Sequence, residues 1–365
     1  MLRISRGALP VVGRARIYVC GITPYDTTHL GHAATFVWAD VATRVLRHLG
    51  VEVEVCRNVT DVDDVLDAAA ARSGARPDSF AAVQQFRFDR DMAVLGVRRP
   101  THEPRAHNHV HQVVTLAAAL LELGVAYRRD GSVWFRGEGV AERAGLSADQ
   151  AAALAAEFGA RPDPTADHPS DVPLWRPARA GEAAWPSPWG DGRPGWHAEC
   201  AAMALTMLGS AVDLHVGGSD LRFPHHAYEA AMAEAVTGVR PFARAWMHVG
   251  TVRVGGEKMA KSTGNLVLVS DVVTKFPAAA LRLLLLDRPW AQDWDYDPAE
   301  LDAAAARLER LYAAAARGVG ETEAIAAEAV STALLDDLDV AAALDVAEES
   351  GGEAARRTLS VLGLS

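Results

Sequence analysis

The chain has 365 residues, half of them apolar, which is enough for one large or two ordinary domains with a substantial core. Its formal net charge is −11, and residues 291–365 contain 16 acidic and 5 basic residues. A region with this negative charge repels a polyanion, so we expect no nucleic-acid partner. Three cysteines cannot form a disulfide scaffold, no run is apolar enough for a membrane span, and residues 1–15 lack the core of a signal peptide. We expect a cytoplasmic monomer with no membrane partner.

The first predicted unit is a strand at residues 17–19, a turn, and a helix that opens near Gly31 and ends at Gly50. This order begins a nucleotide-binding fold, in which the amino end of the helix can receive phosphate. The turn carries His29-Leu-Gly-His32 in place of a glycine-rich phosphate loop. Two imidazoles can donate hydrogen bonds to phosphate oxygens, although so short a motif has little specificity alone.

The rest of the chain alternates between helices and strands and then becomes helical. This order predicts an α/β domain over residues 1–270, an insertion at roughly 100–190, and a helical region over 271–365. The hairpin expected across 127–136 turns at Asp130-Gly131. The predicted strands are 51–55, 211–216 and 245–254, and the predicted helices are 79–95, 106–123, 148–158, 225–235, 278–286, 299–317 and 324–347.

Two lysines lie in a loop that glycines bracket, at Lys258 and Lys261. A pair of cations in such a loop can close over a triphosphate and neutralise the departing pyrophosphate. Taken alone, the K-x-x-K pattern is more typical of a solvated loop.

Metal-ligand side chains occur at Cys20, Cys200, His225 and Glu229. His225 and Glu229 are four residues apart and share one face of a helix. With two thiolates they would form a zinc site with two sulfur, one nitrogen and one oxygen ligand. Each residue alone has a structural alternative, a buried cysteine or a capped histidine. His107, His109 and His111 scatter around their helix and do not indicate a metal site.

Together these motifs resemble the class I aminoacyl-tRNA synthetase catalytic domain, and specifically its cysteinyl branch. His29–His32 is similar to the HIGH signature, and KMAKS at 258–262 is similar to KMSKS. The stretches RPGWHAEC, GGSDLRFPHH and AWMHVG resemble cysteine-activating members in order and spacing, over residues 17–294. The resemblance implies a Rossmann-type (HUP) α/β catalytic domain with an insertion, followed by a helical region.

Two relatives within this branch compete: the cysteinyl-tRNA synthetases, and the mycothiol-pathway ligase, which joins cysteine to the amine of glucosaminyl-inositol. The segments beginning at Cys20, Asn58 and Gly264 look like those of the ligase. The hundred or so residues after KMAKS are fewer than we expect for a part that reads an anticodon. Glu229 fits the synthetases better.

The chain also departs from the family pattern. Ala260 replaces the serine of KMSKS, Ala227 stands where relatives commonly have Glu, and residues 157–162 read EFGARP where the family has ERGGDP. A paralogue that uses another amine, or a non-catalytic relative, therefore stays open.

The resemblance implies that ATP activates the cysteine carboxylate as an adenylate, and that an amine then displaces AMP. His29, His32, Lys258 and Lys261 would be catalytic, one Zn²⁺ would hold the substrate thiolate, and Mg²⁺ would accompany ATP. Asp220 would hold a ribose hydroxyl, and Thr251 would contact adenine through its backbone. Asp61, Asp63 and Asp64 are close in sequence to the pocket but could as easily cap a helix, and the sequence identifies no general base. The residues expected to line the cysteinyl-adenylate pocket are Cys20, Gly21, Ile22, Thr23, Thr35, Asn58, Val59, Thr60, Trp196, Gly218, Ser219, Asp220 and Thr251.

Overall fold

The computed structural model describes residues 1–5, 7–25, 27–159, 163–259, 263–317 and 323–364. The strands in these residues are β1 (Arg3–Ile4), β2 (Gly7–Ala8), β3 (Arg14–Ile22), β4 (Glu52–Val59), β5 (Ala126–Arg129), β6 (Ser132–Phe135), β7 (Val172–Pro177), β8 (Gly192–Pro194), β9 (Val212–Gly218), β10 (Ala243–Val249), β11 (Val252–Val254), β12 (Glu257–Lys258) and β13 (Trp294–Asp295). The α-helices are α1 (Leu30–His48), α2 (Asp64–Ser73), α3 (Pro77–Val94), α4 (Val110–Glu122), α5 (Val140–Arg143), α6 (Ala148–Phe158), α7 (Trp196–Leu208), α8 (Ala227–Thr237), α9 (Val269–Val272), α10 (Ala278–Leu286), α11 (Pro298–Ala315), α12 (Glu323–Leu335), α13 (Val340–Ser350) and α14 (Gly352–Leu362).

A parallel sheet with the strand order β10–β9–β3–β4 forms the centre of the fold. Ile17, Tyr18 and Val19 of β3 are buried, as expected for an inner strand that is covered on both faces. Helix α1 follows β3 directly and ends with Arg47 and His48, whose positive charge suits the carboxyl end of a helix. The predicted α/β class and its opening strand, turn and helix are confirmed.

The insertion forms its own antiparallel sheet in the order β5–β6–β7–β8. The predicted hairpin is present, and its turn residues Asp130 and Gly131 have φ values of 47° and 80°. Both values are positive, as the favoured two-residue hairpin turn requires. Helix α6 has the predicted bounds, and strand β8 leads directly into α7, so the insertion returns the chain to the central sheet.

Helices α10 and α14 pack against α1, the helix that follows β3 of the central sheet. The helices from α10 to α14 contribute to the same hydrophobic core as α1. Arg282 of α10 is fully buried and joins three parts of the chain: it donates to the carbonyl oxygens of Leu362 and Leu95 and pairs with Asp40 of α1. Because one core extends across residue 270, the division into domains at that residue stays a proposal.

Three element predictions were wrong in detail. The single helix expected over 324–347 is two helices, because Asp337 and Leu338 adopt positive φ values of 58° and 57° between them. Five helices were not predicted, namely α2, α5, α7, α9 and α14. The strand expected over 245–254 is interrupted at Gly250, whose close approach to Gln292 leaves no room for a side chain. Among the described residues, no helix combines the length and apolar character needed to cross a bilayer.

Candidate active site

A cavity of about 320 Å³ opens where the carboxyl ends of β3, β4, β9 and β10 meet the amino ends of α1 and α7. Ligands of open parallel sheets bind at this edge, so the position agrees with a nucleotide site. The predicted residues that line it are Cys20, Gly21, Ile22, Thr23, His29, His32, Thr35, Asn58, Thr60, Trp196, Cys200, Gly218, Ser219, Asp220, His225, Thr251 and Lys258. The residues that the sequence did not single out are Tyr25, Gly31, Phe36, Leu221, Val249, Gly250, Val252 and Met259.

Two predicted residues are not among those that line the cavity, and the position of a third is not described. Val59 is buried in β4 with 1% of its surface exposed and is not one of the lining residues. Glu229 is fully buried, is not one of the lining residues, and lies 3.9 Å from the lining residue Cys20. Lys261, with its neighbours Ala260 and Ser262, lies outside the described residues.

The two histidines of the HIGH-like motif stack at the start of α1, with ring centroids 3.9 Å apart. His29 caps the helix, because its Nδ1 accepts the Gly31 N–H at 3.1 Å. Burial, together with Lys258, lowers the pKa of His32 to about 4, so this ring is neutral at pH 7 and donates through one N–H. The first turn of α1 contains no acidic residue, which leaves its positive end available to phosphate.

Lys258 of the KMAKS-like motif pairs with Asp220, its Nζ lying 2.7 Å from Oδ2. Lys258, which is expected to neutralise the charge of the departing pyrophosphate, therefore contacts Asp220, which is expected to accept a ribose hydroxyl. Ser219 and Thr251 bond through their hydroxyls at 3.0 Å. ATP would have to replace the Lys258–Asp220 pair if both residues act as predicted.

The expectation that Thr251 contacts adenine through its backbone meets a competing set of bonds. Its N–H donates to Asp293 Oδ1 at 2.8 Å, and its carbonyl accepts from the Trp294 N–H at 3.1 Å. The backbone donor is thus occupied, and the hydroxyl is the group of Thr251 that shares a hydrogen bond with the lining residue Ser219.

The predicted ligands Cys20, Cys200 and His225 converge, with their ligand atoms all within 4.8 Å of one another. All three residues are buried. Burial raises the pKa of both thiols and holds the pKa of His225 well below its usual value, so the imidazole is neutral at pH 7 and keeps one ring-nitrogen lone pair. Its Nδ1 shares a hydrogen bond with His197 Nδ1 at 2.8 Å. Two thiols and a neutral imidazole fit Zn²⁺, which would favour the thiolates by displacing their protons.

Glu229 belongs to a neighbouring group that shares Cys20. The ligand atoms of Cys20, His215, His226 and Glu229 also lie within 4.8 Å of one another. Glu229 Oε2 accepts from His215 Nε2 at 3.1 Å and lies 3.9 Å from Cys20 Sγ, while Oε1 is buried with no hydrogen-bond partner among the residues that the structure describes. Glu229 can therefore orient Cys20 or complete the coordination. Sequence reasoning missed His215 and His226.

Asn58 connects the two halves of the thiol site. Its Oδ1 accepts the Gly21 N–H at 2.5 Å, and its Nδ2 donates to Cys200 Sγ at 2.9 Å. Gly21 has no alternative here, since a Cβ at this position would lie 1.6 Å from the Asn58 carbonyl oxygen. The carboxyl ends of β3 and β4 are thus held together beside Cys200.

The three aspartates considered as general bases already have protein partners. Asp61 accepts from Arg105 Nε and the His107 N–H, each at 3.0 Å. Asp63 caps α2, accepting from the N–H groups of Val65 and Leu66. Asp64 pairs with Arg176 at 2.6 Å. These contacts give the aspartates structural roles and do not assign the base.

A family model and individual relatives of known sequence place the chain in the same protein family. Residues 10–306 match the family model for "tRNA synthetases class I (C) catalytic domain". The chain is 40% identical over 340 residues to a cysteine–tRNA ligase of Geobacter sulfurreducens, covering 93% of this chain and 68% of that protein. It is 44% identical over 336 residues to an L-cysteine:1D-myo-inositol 2-amino-2-deoxy-alpha-D-glucopyranoside ligase of Streptomyces griseus, covering 90% of this chain and 82% of that protein.

Solved structures confirm the fold. The chain resembles Mycobacterium tuberculosis methionyl-tRNA synthetase in complex with methionyl-adenylate, with a TM-score of 0.67 and 16% identity over 96% of this chain and 89% of that one. The chain spans about two thirds of the length of the cysteine–tRNA ligases that it matches, from 61% to 68% in the examples compared.

Proposed function

The chain belongs to the class I tRNA synthetase (C) catalytic domain family, and from that premise we propose that it activates L-cysteine with ATP and transfers the cysteinyl group to the amine of glucosaminyl-inositol. Membership makes it an ATP-dependent ligase. The observation that carries the proposal is that one cavity combines the thiol–imidazole group with the HIGH-like histidines and Lys258. We further propose a cytoplasmic location.

In the first step, the cysteine carboxylate attacks the α-phosphorus of MgATP and pyrophosphate leaves. His29 and His32 would donate N–H groups to the phosphate oxygens at the amino end of α1. Lys258 would leave Asp220 and neutralise the leaving pyrophosphate, which would free the Asp220 carboxylate to accept a ribose hydroxyl. We assign the same role as Lys258 to Lys261, on the motif alone.

Selection of cysteine would depend on Cys20, Cys200 and His225. When bound there, Zn²⁺ supplies a Lewis-acidic position that accepts a thiolate and has no comparable preference for a hydroxyl. Asn58 would orient Cys200, and Trp196 would form the apolar wall beside the substrate side chain. Serine would be rejected because it offers no soft ligand.

In the second step, the acceptor amine attacks the mixed anhydride, forming an amide and releasing AMP. Two observations support a small acceptor. The segments beginning at Cys20, Asn58 and Gly264 resemble those of the mycothiol-pathway ligase. Residues 291–365 are also strongly acidic, with 16 acidic and 5 basic residues.

A second candidate is transfer of cysteine to tRNA. It is favoured by Glu229, which suits the synthetases, and by the several cysteine–tRNA ligases that match at 40–45% identity. Both candidates share the activation step, so the acceptor alone distinguishes them.

Activation is tested by ATP–pyrophosphate exchange with purified, zinc-loaded protein. We expect exchange that depends on cysteine, fails with serine, and is lost in Cys20→Ser while Cys56→Ser retains it, because Cys56 is buried outside the ligand group. A protein that binds zinc yet shows no cysteine-dependent exchange would instead be a non-catalytic relative.

A further inference from the structure

A phenylalanine of the insertion contacts the wall of the cysteine pocket. Phe158, the last residue of α6, stacks on Trp196 with ring centroids 5.4 Å apart and an interplanar angle of 20°. Trp196 in turn lies 4.5 Å, centroid to centroid, from the ring of the predicted zinc ligand His225. A continuous aromatic contact therefore extends from the insertion to the metal-ligand group.

The position of Phe158 is defined by its own helix. Ser147 and Gln150 form a reciprocal capping box at the amino end of α6. Gly159 ends the helix immediately after Phe158 with a φ of 85°. Leu154, one turn earlier, packs against the core of the insertion. Because both ends of α6 are fixed in this way, the helix places the Phe158 ring against Trp196.

The sequence at this point differs from the family pattern. Phe158 lies in the segment that reads EFGARP in place of ERGGDP, where the resemblance places an arginine. An arginine guanidinium can also stack on an indole, but it carries a charge that the phenylalanine ring lacks. The apolar stacked pair is therefore a feature of this chain's own residues.

We infer that Phe158 is a positioning residue, which holds the Trp196 indole against His225 and so fixes the shape of the pocket that receives the substrate thiol side chain. This inference rests on the proposed function. Phe158 is not one of the residues that line the cavity and acts on the pocket through Trp196. An aromatic pair of this geometry corresponds to about threefold to tenfold in an equilibrium constant.

The test compares Phe158→Leu and Phe158→Tyr with a matched control, Phe86→Leu. Phe86 is 70% exposed on α3, so its loss leaves the pocket unchanged. Binding of L-cysteine to zinc-loaded protein is measured by calorimetry, and zinc content by atomic absorption. Exchange kinetics give the KM values for cysteine and ATP.

We expect Phe158→Leu to weaken cysteine binding and raise the cysteine KM by about threefold to tenfold, with zinc content and the KM for ATP within twofold of wild type. Phe158→Tyr should restore wild-type cysteine binding. Unchanged cysteine binding in Phe158→Leu would overturn the inference, as would a parallel loss of zinc or of ATP affinity. Absence of exchange in the wild type would refute the proposed function instead, while the calorimetry would still decide this inference.

Discussion

Asn58→Ala is the substitution that most directly tests how the polypeptide supports the thiol site. Asn58 is 1% exposed, and its amide makes one hydrogen bond to the Gly21 N–H and another to Cys200 Sγ. Alanine would remove both. The Gly21 donor would lose its partner, at a cost of about 1–3 kcal/mol in the free energy of unfolding. Loss of a group that orients a metal ligand typically lowers metal affinity by about 10–100-fold.

Two measurements separate these effects. Competition with a chelating dye gives the zinc affinity, and denaturant unfolding of the metal-free protein gives the stability. Asn108→Ala is the matched control, because Asn108 is exposed beside α4 and lies outside the cavity. A variant that is less stable but binds zinc with wild-type affinity would refute the argument that Asn58 orients Cys200.

Three further predictions follow from particular contacts. Asp220→Asn should raise the KM for ATP by about tenfold or more through loss of a charge-assisted hydrogen bond to ribose. The free energy of unfolding should change by less than about 1 kcal/mol, because the side chains of Lys258 and Asp220 are 44% and 33% exposed. Asp336→Asn, which breaks the exposed pair with Arg3, should leave the KM for ATP unchanged. Arg282→Met should lower the free energy of unfolding by about 3–5 kcal/mol and the Tm by roughly 4–7 °C, because it removes one of the two arginines paired with the buried Asp40 and the donor to the Leu95 and Leu362 carbonyl oxygens. Arg76→Met, which breaks the exposed pair with Asp78, should have little effect on thermal unfolding. The pKa of His32 is lowered to about 4 in the folded chain, so the unfolded chain binds more protons between pH 6.5 and 4. The contribution of neutral His32 to the free energy of unfolding is therefore present above pH 6.5 and is lost as the pH falls toward 4. His32→Gln should flatten this dependence of the free energy of unfolding on pH, and an unchanged dependence, or an equal change in the exposed control His111→Gln, would contradict the assignment.

The sequence was most informative where local signals agree with the tertiary structure. The strand, turn and helix around His29 were predicted because a buried strand, a turn and a capped helix occur consecutively in the chain. Helix α6 was predicted with its observed bounds because Ser147 starts it and Gly159 ends it.

It was least informative where an element ends without a local signal. Asp337 and Leu338 interrupt the helices near the carboxyl end although neither is a glycine or proline, and Leu338 is buried at 1% exposure. Burial of that leucine accounts for a turn that helix propensity would not predict. Helix α2 was not predicted, although Asp63, which caps it, was among the aspartates for which a capping role was considered.

The candidate site shows the same distinction. Its motif residues could be named individually, whereas the grouping of Glu229 with His215 and His226 depends on how α8 packs against β9. The Phe158–Trp196 contact depends on where the insertion folds back. Contacts between distant segments leave no periodic pattern in one sequence, so only the structure could reveal them.

The central claim is that the activated cysteine passes to an amino-sugar, and the most direct measurement is AMP release from cysteine and MgATP with and without glucosaminyl-inositol. A parallel reaction contains tRNA for cysteine. The account predicts AMP release that requires the amino-sugar, together with a cysteinyl amide product detected by mass spectrometry. AMP release and charging that occur with tRNA, and not with the amino-sugar, would contradict it.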